Sequence, residues 1–195
     1  MHDLARRIAF IEEADKLRGV LRLTRPICED RRENSAEHSW HIALIALVMQ
    51  DHAPRGVDIN RVLKMLIVHD LVEIDVGDIP AYETHRADEK EQGEEKAAKR
   101  LFGMLPEKIG DELQALWREF EDMRTPDAKF ANAIDRYQPM MLNDNNDGDT
   151  WVERKISRSQ VLKRAEVMRE GCPGLHEIVT GYIDKAVSKG HLKPD

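Results

Sequence analysis

The sequence predicts an all-α protein, a compact bundle of many helices. Three observations lead there. Apolar residues recur at three- and four-residue spacing along most of the 195 residues. No convincing run alternates apolar and polar residues as a half-buried strand would. Helix-opening signatures, a capping residue or a proline ahead of a periodic apolar run, recur along the chain.

In chain order, Leu4, Ile8 and Ile11, with Leu17 beyond, mark a first amphipathic helix. Gly19 to Arg32 reads as irregular, with Pro26 inside it. Asn34 has Glu37 three residues later, a capping box that opens a second helix through Trp40, Leu44, Leu47 and Val48. Pro54 and Gly56 end that region. Asp58 caps a third helix through Val62, Leu63, Leu66, Ile67 and Ile74, broken by Val76-Gly77-Asp78-Ile79-Pro80. Asp88 to Arg100 alternates charges and is expected to be a mostly solvated helix. Pro106 opens a further helix through Ile109, Leu113, Leu116 and Trp117. Thr125-Pro126 opens another, through Phe130, Ile134 and Tyr137, and Pro173 the last, through Leu175, Ile178 and Ile183. With no internal repeat and no clear linker, one domain over 1–195 is expected.

Composition narrows the function. A formal net charge of −7 argues against a nucleic-acid polymer as partner, since that needs a basic surface. A small phosphorylated ligand remains compatible, because a few arginines can invert the field in one cleft. Two distant cysteines, Cys28 and Cys172, suit a reduced cytoplasmic protein. Met1 to Arg7 leads into no long apolar run, so neither a signal peptide nor a membrane span is expected.

The most informative segment is Leu66 to Ile74, where His69, Asp70 and Glu73 sit among apolar residues. Burying ionisable groups is costly unless they are paired or bind a metal. On a regular helix His69 and Asp70 lie about 100° apart and Glu73 shares their face. An isolated His-Asp pair is most simply a structural hydrogen bond. Here, however, His38 and Asp135 lie in two further apolar helices. Two imidazoles and two carboxylates suit Mn, Fe, Co, Ni or Zn better than Ca or Mg. His41, one turn from His38, is expected to pack or to support a ligand. His52, His85, His176 and His191 look peripheral, and Trp40 and Trp117 are expected in the core. Asn143 to Gly148 imitates a calcium loop but has Arg154 where the bidentate Glu belongs, so a polar loop is expected.

Arg32-Glu33-Asn34-Ser35-Ala36-Glu37-His38-Ser39, then His69-Asp70 with Glu73, then Gly77-Asp78-Ile79, then Asp135, resembles the HD-domain metal-dependent phosphohydrolases. Within that superfamily the likeness is to bacterial 5'-deoxynucleotidases and their eukaryotic HD-domain-containing relatives. It covers a motif-bearing core of about 17–142, with C-terminal helices over about 151–190 outside it.

The resemblance implies an all-α HD-domain fold with a central metal site. It implies one divalent transition metal on His38, His69, Asp70 and Asp135, with Glu73 and Asp78 as catalytic carboxylates. Arg22 falls near the family's phosphate-binding arginine, and Leu23 stands where a tryptophan is expected, which implies looser sugar discrimination. Arg25, Arg31 and Arg32 are its local competitors for the phosphate, and Asp78 is also expected to touch the substrate.

The expected reaction is removal of the 5'-phosphate from (deoxy)nucleoside 5'-monophosphates by a homodimer. Two alternatives stay open. One is hydrolysis of another small phosphoester or of a nucleotide tri- or pyrophosphate. The other is a non-catalytic, metal-stabilised nucleotide-sensing module.

Overall fold

The computed structural model describes residues 2–80, 82 and 87–195; His85 lies outside them. Among the described residues the regular elements are all helical. They are α1 (His2–Ala14), α2 (Ser35–Val48), α3 (Ile59–Val68), α4 (Glu73–Val76), α5 (Ala87–Phe102) and α6 (Glu107–Asp122). α7 (Pro126–Asn145), α8 (Asp149–Glu153), α9 (Arg158–Ala165), α10 (Met168–Gly171) and α11 (Pro173–Ser188) follow.

The expected start signals work as written. Asn34 accepts from the Glu37 amide and Glu37 reaches back to the Asn34 amide, closing the capping box of α2. Asp58 accepts from the amides of Asn60 and Arg61. Thr125 caps α7 ahead of Pro126, and Pro173 opens α11.

α7 is the axis of the fold. It packs against α2, α3, α6, α9, α10 and α11. Phe130, Ala131, Ala133 and Ile134 are fully buried along it. Trp151, Met168, Leu175 and Ile183 extend the same core into the C-terminal helices. Trp117 is buried as expected.

Several expectations are corrected. Trp40 is 67% exposed, and Leu44, Leu47 and Val48 share its outer stripe. The buried stripe of α2 is Ser35, His38, Ser39, Ile42 and Ala46, so its polar face turns inward. α1 likewise leaves Leu4, Ile8 and Ile11 exposed, and Arg6 ties it down by donating to the carbonyls of Gly103 and Met104 at 2.9 Å. Periodicity identifies a helix, but which stripe is covered depends on neighbours distant in sequence. Ile67 is also exposed.

The third helix does not run on to Ile74. α3 ends at Val68, His69–Val72 forms a 3-10 turn, and α4 begins at Glu73. Asn143 to Gly148 is not all loop, since Asn143 and Asn145 lie in the last turn of α7. The Asn143 side chain there accepts from Thr150 Oγ1 at 2.8 Å. α5 is solvated on one side only: Ala97, Ala98, Leu101 and Phe102 are buried, and Glu94 with them.

Candidate metal centre and adjoining cleft

Three helical segments and one extended strap build the site. The 3-10 turn winds about 120° per residue, so residues three apart eclipse. It therefore stacks Asp70 over Glu73 more directly than an α-helix would, beside His69. α2 contributes His38 one turn from its capped start, and α7 contributes Asp135 from its middle. Pro139 has no N–H, so the Asp135 carbonyl has no helical donor at that position.

The strap is the stretch Gly19 to Arg32 that the sequence marks as irregular. Its first residues pair antiparallel with the start of α2. Arg22 N donates to Glu33 O at 2.8 Å, Glu33 N to Thr24 O at 2.9 Å, and Ser35 N to Val20 O at 3.0 Å. This short pairing carries Arg22 inward.

His38, His69 and Asp135 offer donor atoms that all lie within 4.8 Å of one another. His38 Nε2 is 2.9 Å from Asp135 Oδ1, and His69 Nε2 is 3.6 Å from the same oxygen. Asp70 Oδ1 lies 3.0 Å from His69 Nε2, and Asp70 Oδ2 lies 4.0 Å from His38 Nε2. Asp70 is thus beside the group of three, while Arg22 Nη1 holds its Oδ2 at 2.8 Å.

Each imidazole is oriented from behind. His69 Nδ1 donates to the Leu66 carbonyl at 3.0 Å, which leaves Nε2 with its lone pair forward in the neutral ring. His38 Nδ1 meets Gln138 Oε1 at 3.1 Å, and Gln138 Nε2 donates to Glu33 Oε1 at 2.6 Å. Thr24 Oγ1 donates to the other oxygen of Glu33 at 3.2 Å. His41 Nδ1 lies 3.3 Å from Gln138 Nε2, so His41 supports the site and does not face it.

His69 Nε2 is buried and makes no hydrogen bond of acceptable direction, although two carboxylates are close. Atoms that aim at a common point and not at one another look like this. Electrostatics agree. Burial alone would lower the His69 pKa, yet the negative charges of Asp70 and Asp135 raise it well above the ordinary value. The same carboxylates attract any cation, and the Coulomb attraction grows with its charge. Two imidazole nitrogens with carboxylate oxygens are a donor set that fits a divalent transition metal.

Glu73 accepts from Ser35 Oγ at 2.7 Å. Burial first, then the charges of Asp70 and Asp78, push its pKa well above the ordinary carboxylate value. Asp70 goes the other way: burial would raise it, but His69 and Arg22 outweigh burial and hold it low. Arg22 Nη1 lies 3.9 Å from Asp78 Oδ1 and 4.0 Å from Glu73 Oε1. One arginine is therefore wrapped by the carboxylates of the site.

The sequence's other arginines sit elsewhere. Arg25 pairs with Asp30 and Asp149, and it lines neither cleft described here. Arg31 pairs with Glu29 and Glu37. Arg32 pairs with Glu153 and bonds the Leu23 carbonyl.

A cleft of about 250 Å³ opens on His69, Asp70, Glu73, Asp78 and Asp135. A second, of about 320 Å³, adjoins it and is lined by Leu23, Tyr82 and Trp151 among others. Arg22, Asp78, Pro80, Arg136 and Arg164 border both. Glu94 and Glu121 also line the first, where burial and then the charge of Glu94 push Glu121 up to about 7.

Sequence reasoning missed Glu33, Gln138, Glu94, Glu121, Arg136 and Arg164. Gln138 left a usable signal, since it lies three residues from Asp135 on the same helical face. Arg164 left none.

The HD domain family model matches residues 14–176. A solved structure described as a predicted metal-dependent phosphohydrolase from Magnetospirillum magnetotacticum is 43% identical. It covers 100% of both chains with a TM-score of 0.90. The protein named 5'-deoxynucleotidase HDDC2 from Homo sapiens is 32% identical over 130 residues, 67% of this chain and 61% of its own length. Its Bos taurus counterpart is 34% identical over 128 residues, 66% and 60% respectively. The chain therefore spans about three-fifths of the length of these curated relatives.

Proposed function

The chain belongs to the HD-domain family, and from that premise we propose that it is a metal-dependent phosphatase acting on (deoxy)nucleoside 5'-monophosphates. The observation that carries the reading is the convergence of His38, His69 and Asp135 on one point, with a buried His69 Nε2 left without a hydrogen bond. The names of the human and bovine relatives support the substrate class.

His38, His69 and Asp135 would hold the ion, with Asp70 as the fourth ligand. A bound divalent ion supplies charge neutralisation at the phosphate and Lewis-acid polarisation of its phosphorus–oxygen bonds. The chain's own groups do the rest. Glu73, with its raised proton affinity, accepts the proton of the attacking water. Asp78, bordering both clefts, would give the leaving nucleoside O5' its proton. Arg22, now on Asp70 Oδ2, would turn to a phosphate oxygen, and Asp70 would then be available as a ligand. The adjoining cleft, with Leu23, Tyr82 and Trp151 in its wall, receives the nucleoside.

The decisive experiment is phosphate release from nucleoside mono-, di- and triphosphates with Mn or Co added. Release from 5'-monophosphates is expected. No release from any of them with any divalent metal would favour the sensing module and sink this reading.

Arg22 gives a sharper test. Losing one charge-assisted hydrogen bond costs about 1.5–3 kcal/mol. Arg22→Ala is therefore expected to lower kcat/KM roughly 10- to 150-fold, and Arg22→Lys less, because it keeps the charge but loses the planar fork. Metal content should hold. Unchanged kcat/KM in Arg22→Ala would take the phosphate away from Arg22. Matched deoxy- and ribonucleoside substrates report on Leu23: weak discrimination is expected, and a strong deoxy preference would refute that part.

A homodimer is part of the same proposal. Trp40, Leu44, Leu47 and Val48 make one exposed apolar stripe on α2, a feature typical of association surfaces. Light scattering should give twice the mass of one chain, and Trp40→Glu should halve it; a monomeric parent rules the dimer out. A cytoplasmic setting is proposed too, in keeping with free Cys28 and Cys172.

A further inference from the structure

The two adjoining clefts are opposite in charge. Among the described residues the metal-side cleft is lined by six carboxylates, those of Asp70, Glu73, Asp78, Glu94, Glu121 and Asp135, against four cations, Arg22, Lys90, Arg136 and Arg164. Among the described residues the other is lined by Arg22, Arg136, Lys155 and Arg164, with the carboxylate of Asp78. In a protein of net charge −7 that is a local inversion of the field.

Arg22 is already surrounded by carboxylates. Arg136 on α7 and Arg164 on α9 are different. Both are half-buried and both border the two clefts. Among the described residues neither has a carboxylate at ion-pair distance. Arg136 instead donates to the Arg164 carbonyl at 3.3 Å and to Met123 Sδ at 3.0 Å. The Arg164 guanidinium lies 5.9 Å from the centre of the Tyr82 ring. Burial and then the neighbouring Arg164 charge disfavour the Arg136 cation, and Asp135 and Glu121 offset this only in part, from beyond ion-pair distance. Lys155, on the same rim, has a φ of 55°, a conformation that L side chains rarely adopt and that concentrates at binding sites.

Two half-buried guanidiniums with no ion pair among the described residues are stabilised by an anion that joins them. A nucleoside monophosphate cannot be that anion while its one phosphate sits at the metal side, because the nucleoside itself is uncharged. We infer that Arg136 and Arg164 form a second phosphate subsite, and that the enzyme prefers substrates carrying a second phosphate group beyond the one it removes. The inference rests on the phosphatase reading only for which phosphate is removed. The second phosphate is only bound; one water cleaves one P–O bond, the 5' ester of a bisphosphate or the anhydride of a diphosphate, and the leaving oxygen takes a proton.

The test compares deoxyadenosine 5'-monophosphate, deoxyadenosine 3',5'-bisphosphate and deoxyadenosine 5'-diphosphate. Calorimetric binding is measured on the chelator-treated full chain, and kcat/KM on the Mn-supplemented protein. At least one doubly phosphorylated compound is expected to bind roughly 10- to 150-fold more tightly than the monophosphate, the scale of one charge-assisted hydrogen bond. Preference for the bisphosphate places the second phosphate on the sugar, and preference for the diphosphate places it in the same phosphate chain. Arg164→Gln should collapse that ratio at least about tenfold, and Arg164→Lys should retain part of it. A parent that binds monophosphate as tightly as both others overturns the subsite, however the variants behave. So does a ratio that survives Arg164→Gln. A binding preference without any hydrolysis would keep the subsite and refute the phosphatase reading instead.

Discussion

Replacing Asp135 by alanine is expected to remove bound metal and activity together. Asp135 Oδ1 is the one oxygen close to both imidazoles, 2.9 Å from His38 Nε2 and 3.6 Å from His69 Nε2. Burial would raise its pKa, yet the bonds from His38 and His69 hold it well below the ordinary value, so it is an anion at any working pH. Losing a group that merely supports a ligand costs roughly 10- to 100-fold in metal affinity. Losing this one should exceed that, because it removes a donor atom and half of the charge that balances a divalent ion. Asp135→Asn keeps the shape and should fail nearly as badly, since the missing element is charge. Elemental analysis after gel filtration checks it. Full occupancy in Asp135→Ala would take Asp135 off the ligand set.

Glu73 should separate binding from turnover. Its carboxylate is anchored by Ser35 Oγ at 2.7 Å and lies outside the His38–His69–Asp135 group. Glu73→Gln is expected to keep its metal and lose kcat by about 10²-fold or more, the usual scale for a positioned acid–base group. The pH profile carries the sharper signature. A base must be unprotonated, so the acid limb of kcat should report the Glu73 carboxyl, whose burial opposes its ionisation. That limb should vanish in the variant.

Stability should move the other way. A carboxyl whose folded pKa is raised binds its proton more tightly when folded. It therefore favours the folded state at low pH, and that contribution is lost as pH rises through the folded pKa. At neutral pH the metal-free Glu73→Gln protein should be no less stable than its parent, a common cost of function. A large drop in its unfolding midpoint, or near-normal kcat with metal bound, would make Glu73 structural.

Local chemistry was legible in the residues themselves. Asn34 with Glu37, Asp58, Thr125-Pro126 and Pro173 open helices where a capping side chain or a fixed proline φ makes them open, and neighbours hardly matter. The ligand types were legible for a different reason. Ionisable groups inside apolar runs are improbable without a partner, so His38, His69, Asp70 and Asp135 stood out in one dimension.

What the tertiary structure decided are the relations between segments far apart in the chain. It turned the polar stripe of α2 inward and left Trp40 outside, because the face that is covered is set by α3 and α7 and not by the helix's own period. It wound His69–Val72 as a 3-10 turn, for which the sequence gives no physical signal. It brought Arg22, and not Arg25, Arg31 or Arg32, beside the carboxylates of the site through the pairing of the strap with Glu33, and it placed Gln138 behind His38. It brought Arg136 and Arg164 to one wall from helices that share no sequence pattern. A sequence carries side-chain chemistry and local backbone preference. Convergence of charges on one point is a property of helix packing, where long-range contacts fix distances that no local period contains.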